Sequence, residues 1–265
     1  MCEICGCPGD KDAHVAGQIL RADNGKQIEV LHALLHENDH QAEHNRAHFD
    51  AAGILVVNLM SSPGAGKTSL LEATIRELSG RLTVAVIEGD LETENDARRI
   101  REAGAKAVQI TTGNACHLDA AMVHAALHLL NLRGLDIVFI ENVGNLVCPA
   151  AFDLGQHCNV VLLSVTEGDD KPEKYPVMFR KADLLVISKL DLLEAVGDFE
   201  PDRAAAHLHY LANPAPVLEI SARNGAGMAS WIDWLVKEHE VCQHFFYDSM
   251  VHSDANYPHG SQVHA

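Results

Sequence analysis

The sequence is short of positive charge: 20 lysines and arginines stand against 37 aspartates and glutamates, and the net charge is −17. So acidic a surface repels phosphate backbones and anionic lipids, which argues against nucleic-acid and membrane-surface binding. No run approaches the roughly 20 apolar residues of a membrane-spanning helix. The first residues also lack the basic segment and apolar stretch of a secretory signal. We therefore expect a soluble cytoplasmic protein without nucleic-acid or membrane partners.

Cysteine and histidine carry the most unusual part of the composition. The seven cysteines are an odd number and are scattered, and the 17 histidines are more than a chain of 265 residues normally has. In a reducing compartment, scattered cysteines favour metal binding or burial over disulfides. Cys158 lies beside a predicted strand and is expected to be buried, whereas Cys242 stays undecided.

Apolar runs alternate with helical segments over most of the chain. Seven runs rich in Val, Ile and Leu lack polar alternation, as strands of a parallel sheet covered on both faces do; they span 54–60, 83–89, 107–111, 136–142, 159–165, 184–188 and 216–221. Helices are predicted over 67–79, 94–103, 117–132 and 202–212. The chain thus divides into a flexible leader (1–27), a histidine-bearing helix (28–50), a doubly wound α/β domain (51–240) and a histidine-bearing tail (241–265) that is mobile at its end.

The segment SSPGAGKTS (61–69) follows the first predicted strand and opens a helix. It fits the phosphate-binding pattern G-x-x-x-x-G-K-[ST] except at Ser61, which replaces the first glycine. Lys67 is expected to reach the β- and γ-phosphates and Thr68 to hold Mg²⁺. The backbone of the loop would cradle the phosphates at the helix N-terminus, and the predicted nucleotide contacts there are Ser62, Gly64, Ala65, Gly66, Lys67, Thr68 and Ser69.

Two later segments indicate guanine. In VISKLDLL (186–193), Asp191 can accept hydrogen bonds from guanine N1 and N2, which adenine cannot supply, and Lys189 precedes it. This segment resembles the N-K-x-D motif of GTPases, although Ser188 stands where asparagine is usual. The segment EISARNGAG (219–227) resembles a second guanine-loop motif and adds three expected contacts: Ser221, Ala222 and Arg223. GTP is therefore favoured over ATP.

Two further segments have the pattern of nucleotide-sensing loops. IENVGN (140–145) places Glu141 and Gly144 where GTPases have D-x-x-G, with glutamate replacing aspartate. The N–H of Gly144 is the expected γ-phosphate sensor. In EGDLETENDARR (88–99), Asp90 is the predicted Mg²⁺ carboxylate, whereas Asp96 and its acidic neighbours are interpreted as a solvated helix start.

A candidate metal site involves Cys116, His117 and Cys148. If these side chains converge, two sulfurs and an imidazole suit Zn²⁺ or Ni²⁺ equally. Cys148 follows Gly144 by only four residues, so nucleotide state could move a metal ligand.

Five histidines recur every fourth residue and share one broad helix face, at positions 32, 36, 40, 44 and 48. This face is either a solvated surface on which histidine is merely polar, or a set of weak metal-buffering sites. His124 and His128 are interpreted as surface residues. For the C-terminal histidines, both a solvated surface and weak metal buffering stay open.

The N-terminal stretch MCEICGC places Cys2, Cys5 and Cys7 close together. A disulfide is disfavoured by the compartment, and a thioredoxin-like pair would need a βαβ context that is missing here. We interpret the three thiolates as a metal claw in which a terminal amine could be the fourth ligand, an arrangement favouring Ni²⁺.

Taken together, these segments resemble the HypB family of hydrogenase nickel-incorporation GTPases. The resemblance rests on Cys-x-x-Cys-Gly-Cys, LLHENDHQAEHNRAHF, SSPGAGKTSLL, GNACHLDA, ENVGNLVCPA and EGDDKPEKYPVMFRKADLLVISKLDLL. It implies a SIMIBI-type P-loop fold, slow GTP hydrolysis with Mg²⁺, and nickel delivery to the large subunit of nickel–iron hydrogenase.

The resemblance further implies a homodimer, a HypA-type nickel chaperone and a SlyD-type metallochaperone as partners. It also implies Zn²⁺ or Ni²⁺ at Cys116, His117 and Cys148, and nickel at the N-terminal cysteines. Two alternatives stay open. One is a urease accessory GTPase, which has no place for the N-terminal cysteine motif. The other is a nickel storage protein, against which the intact nucleotide motifs argue.

Overall fold

The structure is a computed structural model that describes residues 24–90, 95–113 and 115–254. The chain separates into a unit of Met1–Ala33, whose described part is helical, and a unit of Leu34–Ala265 that contains the sheet. No described helix has the length and apolar character needed to cross a membrane.

The described residues form one seven-stranded sheet in which all paired strands are parallel. The strands are β1 (Leu55–Ser61), β2 (Val84–Asp90), β3 (Lys106–Thr111), β4 (Ile137–Glu141), β5 (Cys158–Ser164), β6 (Leu184–Ser188) and β7 (Val217–Glu219). Their order is β3-β2-β4-β1-β5-β6-β7. The predicted doubly wound sheet of about seven strands is confirmed.

The helices cover both faces of this sheet. They are α1 (Asn24–Ala52), α2 (Lys67–Leu78), α3 (Asn95–Glu102), α4 (Ala120–Leu127), α5 (Lys171–Lys174), α6 (Pro176–Arg180), α7 (Leu193–Val196), α8 (Pro201–Tyr210) and α9 (Met228–Asp254), with 3₁₀ turns at Cys148–Ala151 and Leu190–Leu192. Helix α4 is shorter than the predicted 117–132 and starts later, because the Asp119 carboxylate accepts from the Met122 N–H and caps the helix there. The predicted boundary at residue 240 falls inside α9, so residues 241–254 continue that helix.

Burial on both faces explains the apolar strands. Along β1, Leu55, Val57 and Leu59 pack with α2 and α9 on one face. Val56, between them, packs on the other face against a cluster that includes residues of α1 and α4. Cys158 is buried in the first cluster, as expected from the sequence, and burial raises the pKa of its thiol to about 12.

The sheet order places the site. Strand β1 lies at the centre, between β4 and β5, while β2 lies on the far side of β4. In doubly wound sheets, ligands bind at the carboxyl ends of the strands where the winding direction changes. The loops that follow β1, β2, β4 and β6 all reach this edge.

Candidate nucleotide and metal sites

The loop between β1 and α2 has the backbone of a phosphate cradle. Gly64 and Gly66 have φ values of +75° and +99°, a region that favours glycine. The Lys67 ammonium donates to the Ser61 hydroxyl at 3.0 Å. Ser61, the departure from the usual motif, therefore orients the lysine along the loop. The N-terminus of α2 supplies the unpaired N–H groups that favour an anion.

Two buried glutamates lie beside this loop. Glu88 and Glu141 are register partners on β2 and β4, and both are at most 4% exposed. The Thr68 hydroxyl donates to Glu141 Oε1 at 2.8 Å, while Oε2 of each glutamate is buried without a hydrogen-bond partner. Burial raises the pKa of both carboxyls, and the adjacent Glu141 raises that of Glu88 further.

Asp96 completes this acidic cluster, since one carboxylate oxygen from each of the three residues lies within 4.8 Å of the others. Asp96 lies in the first turn of α3, as expected, but its carboxylate also faces the two buried glutamates, which the interpretation as a solvated helix start did not include. Together with the Thr68 hydroxyl, the unpartnered carboxyl oxygens are the hard donors that Mg²⁺ prefers, and the residues fit that ion. Asp90 lines the same cavity, but it is not one of the three clustered carboxylates.

Sequence reasoning missed Glu88 as a site residue. The signal was present, because a glutamate in the otherwise apolar run VAVIEG is costly to bury without a partner or an ion. Arg99 was also missed. Its guanidinium donates to Glu72 at 2.9 Å, Asp96 at 3.0 Å and Ser69 at 3.2 Å, and its hydrogen bonds to Glu72 raise its pKa.

A cavity of about 520 Å³ joins these groups. It is lined by the phosphate loop, the acidic cluster and the segment after β4. Gly144 closes one wall: a Cβ built there would lie 2.8 Å from Cα of Pro63 and 2.9 Å from its nitrogen. Because both contacts are to backbone, only glycine lets this segment approach the phosphate loop so closely.

A second pocket of about 260 Å³ adjoins the first, and Gly66, Ser69 and Lys189 line both. The predicted guanine contacts Lys189, Asp191, Ala222 and Arg223 line this second pocket. Asp191 accepts a 2.6 Å hydrogen bond from the Ser221 hydroxyl, so the two predicted base loops are joined. The Ser188 hydroxyl donates to the Ala65 carbonyl at 2.6 Å and ties the end of β6 to the phosphate loop.

The structure brings Cys116, His117 and Cys148 together. The two sulfurs lie 2.9 Å apart, and Cys116 Sγ lies 3.7 Å from His117 Nδ1. The His117 ring stacks on Phe152 with centroids 3.9 Å apart, and burial lowers its pKa, which favours the neutral imidazole that metals bind. The hydrogen-bonding contact with Cys116, together with burial, raises the pKa of the Cys148 thiol.

Asn145 connects this thiolate site to the nucleotide cavity. It follows Gly144 directly, donates from its carboxamide to the Cys116 carbonyl at 3.3 Å, and accepts from the Val147 N–H at 2.8 Å. Neither Asn145 nor Phe152 was predicted from the sequence. Their importance arises from contacts between segments about 30 residues apart, which spacing alone does not reveal.

Some of the remaining predicted residues lie outside the described part of the chain, and the others differ in their exposure. Outside it lie Cys2, Cys5 and Cys7 and the side chain of His32. His36 and His40 are exposed, and His48 is buried. His124 is half-buried and hydrogen-bonded to Asn45, which corrects its interpretation as a plain surface residue. Cys242 is half-buried, and burial raises its pKa to about 11.

Comparison with known proteins places this geometry in a family. Residues 55–219 match the CobW/HypB/UreG nucleotide-binding domain. The chain is 48% identical over 231 residues to hydrogenase maturation factor HypB of Azotobacter vinelandii, covering 87% of this chain and 74% of that protein. It is 43% identical over 216 residues to the hydrogenase/urease maturation factor HypB of Helicobacter hepaticus, covering 80% and 88%.

The same family appears among solved structures. HypB from Helicobacter pylori, crystallised in complex with nickel, superposes with a TM-score of 0.74 at 41% identity, over 77% of this chain and 95% of that one. The family match spans the phosphate loop, the acidic cluster and the cysteine–histidine site. The chain therefore belongs to the HypB family of hydrogenase maturation factors.

Proposed function

We propose that this protein is a GTP-hydrolysing metallochaperone that delivers nickel during maturation of nickel–iron hydrogenase. The observation that carries the proposal is the segment Gly144–Cys148. One end of it packs against the phosphate loop and the other supplies a sulfur to the thiolate site. A nucleotide that moves Gly144 would also move a metal ligand, which is the coupling that a chaperone needs to load and release its cargo.

The nucleotide half of the proposal rests on the two adjoining cavities. Asp191 would accept from guanine N1–H and N2–H, with Ser221 holding its carboxylate in place. Lys67 would neutralise charge on the β- and γ-phosphates, and the Gly144 N–H would donate to the γ-phosphate. Thr68, Glu141 and Glu88 would hold Mg²⁺, whose chemistry when bound is to offset negative charge on the phosphates; Asp90 is the further proposed carboxylate.

The metal half rests on three convergent donors. Cys116, His117 and Cys148 provide soft sulfur and borderline nitrogen ligands, which suit Ni²⁺ and Zn²⁺. The Helicobacter pylori relative, whose structure contains nickel, supports nickel as the cargo. We propose Cys2, Cys5 and Cys7 as the second nickel-binding group. In this scheme the protein works in the cytoplasm as a GTP-strengthened homodimer, with a HypA-type chaperone, a SlyD-type metallochaperone and the hydrogenase large subunit as partners.

GTP turnover tests the enzymatic part. Lys67→Ala is expected to reduce hydrolysis at least 100-fold, because the lysine of the phosphate loop would neutralise charge on the β- and γ-phosphates. Lys237→Ala, an exposed lysine on α9, is the matched control and should leave turnover unchanged. Hydrolysis that survives Lys67→Ala would refute the GTPase assignment and leave a nickel storage protein as the better reading.

Nickel delivery to urease is a second candidate, favoured by the name of the Helicobacter hepaticus relative. A nickel-transfer assay distinguishes the two candidate functions. Nickel-loaded protein with GTP would be mixed with the metal-free large subunit of hydrogenase or with metal-free urease. Activation of hydrogenase alone supports the first function, and activation of urease supports the second.

A further inference from the structure

Three histidines from two helices meet outside the nucleotide and thiolate sites. His44 and His48 lie one turn apart on α1, and His124 lies on α4. Their ring centroids are separated by 4.7 Å (44 to 48), 5.0 Å (44 to 124) and 5.7 Å (48 to 124). One ring nitrogen from each lies within 4.8 Å of the other two. We call these three residues the histidine cluster.

Asn45 fixes the orientation of one member. Its carboxamide nitrogen donates to two backbone carbonyls, those of Ala120 at 2.8 Å and Leu154 at 3.1 Å. Its oxygen is thereby left as an acceptor, and it lies 3.0 Å from His124 Nδ1. His124 must carry its proton on Nδ1, so its Nε2 presents a lone pair. A polar group that orients a ligating imidazole through its second nitrogen is a recurrent feature of metal sites.

His48 supplies an independent observation. The residue is 9% exposed, and its Nε2 is buried without a hydrogen-bond partner. Buried polar atoms in proteins are nearly always paired, so an orphan nitrogen among other imidazoles points to a ligand.

Two members of the cluster have a lowered pKa. Burial and the neighbouring imidazoles lower the pKa of His48, and they lower that of His124 to about 4. At neutral pH both rings are therefore uncharged, the form in which imidazole binds metal.

We propose that His44, His48 and His124 form a further metal site that binds Ni²⁺ or Zn²⁺. Exposed His128 is placed to be the fourth ligand, since its Nε2 lies 3.3 Å from that of His124. Bonds of about 2.0–2.1 Å put two nitrogens on one ion at most about 4 Å apart, so small ring movements close the cluster. The site does not rest on the GTPase proposal, because none of these residues lines the nucleotide cavity.

A metal here would join α1 to α4, the helix that begins three residues after His117. The site would hold an ion on the same helix that follows the thiolate site. A second holding position for metal, on the helix that follows the thiolate site in the chain, is the role this placement supports.

Cobalt titration of the full-length protein tests the site, because Co²⁺ bound to cysteine shows a sulfur-to-metal charge-transfer band and Co²⁺ bound to histidine alone does not. Replacing the three cluster histidines by glutamine should remove one bound Co²⁺ per chain and leave the charge-transfer band intact. The matched control is His36→Gln/His40→Gln/His209→Gln, which alters three exposed histidines outside the cluster. An unchanged stoichiometry and affinity in the cluster variant, relative to this control, would overturn the proposal.

Melting curves without metal show whether the triple variant folds. If it does not, His44→Gln replaces the test, because His44 is half-buried and its loss leaves the Asn45 network intact. That single variant should weaken the cysteine-free binding event at least tenfold for both Co²⁺ and Zn²⁺. Equal affinity in this variant and the wild-type protein would also overturn the proposal.

Discussion

At the scale of single residues, we expect base selection to depend on the side chain of Asp191. A carboxylate accepts from guanine N1–H and N2–H, whereas a carboxamide offers one acceptor and one donor. Asp191→Asn should therefore weaken GTP binding by roughly 100-fold, the loss expected for charge-assisted hydrogen bonds of about 1.5–3 kcal/mol. The variant should gain affinity for xanthosine triphosphate, whose C2 carbonyl accepts a hydrogen bond.

Competition binding with the two nucleotides measures this change. Asp198→Asn is the matched control, because Asp198 is exposed and does not line the base pocket. An Asp191→Asn variant that keeps its preference for GTP would show that the base does not occupy this pocket.

Glu88 is expected to make stability depend on pH. Because burial and Glu141 raise its pKa, the folded protein retains a proton that the unfolded chain releases. Stability of the metal-free protein should therefore fall as pH rises above the ordinary glutamate value of 4.5, by up to about 1.4 kcal/mol per pH unit for this group.

Urea denaturation in EDTA at about pH 5, 6, 7 and 8 tests this expectation. Glu88→Gln removes the titrating group and should flatten the decline, so its stability relative to the wild-type protein rises with pH. Glu77→Gln, an exposed glutamate on α2, should follow the wild-type curve. Parallel curves for wild type and Glu88→Gln would mean that Glu88 stays ionised in the folded protein.

At the scale of elements, the loop after β4 should couple nucleotide to metal. Nickel affinity at the thiolate site is expected to differ at least fivefold between the GDP state and the state with a non-hydrolysable GTP analogue. Gly144→Ala should make the two affinities equal, because its Cβ would meet the backbone of Pro63 and hold the loop away from the phosphates. Nickel titration in both nucleotide states measures the difference, and equal affinities in the wild-type protein would remove the coupling.

Most of the sheet could be predicted from the sequence, because central parallel strands are apolar on both faces and each ends at a turn signal. The strands β1 to β6 all lie within one residue of their predicted bounds, and β7 ends two residues earlier than predicted. The phosphate loop was equally predictable, since its glycines and lysine are adjacent in the chain. Such elements can be predicted because the residues that determine them are neighbours in the chain.

The elements that the sequence misplaced depend on distant contacts. Helix α9 continues past Trp234 through a polar, histidine-bearing stretch, because Trp231 and Leu235 anchor its first turns in the core. The Trp231 indole donates to the Thr74 hydroxyl at 2.8 Å. Asp96 and His124 were misread for the same reason: their partners come from other elements, and periodicity on one helix does not reveal them.

At the scale of the whole molecule, α1 is part of the core from its second half onward. Phe49 and Ala42 are fully buried, and Gly155 packs against the Ala42 carbonyl and the side chain of Asn45. Arg46 pairs with Asp153 at 2.7 Å. The part of α1 after Leu34 therefore belongs to the sheet-containing unit, although the sequence places the domain start at residue 51.

Two deletions distinguish this architecture from a detachable N-terminal helix. Removing residues 1–33 should leave the melting temperature and GTP affinity almost unchanged, while abolishing any nickel binding that depends on Cys2, Cys5 and Cys7. Removing residues 1–52 also takes away Phe49 and Asn45, and should lower the free energy of unfolding by more than about 3 kcal/mol, the cost of deleting one buried phenylalanine. Chemical denaturation of both proteins measures the difference. If the two deletions were equally stable, α1 would not be part of the folded unit, and a histidine cluster built between α1 and α4 could not persist in solution.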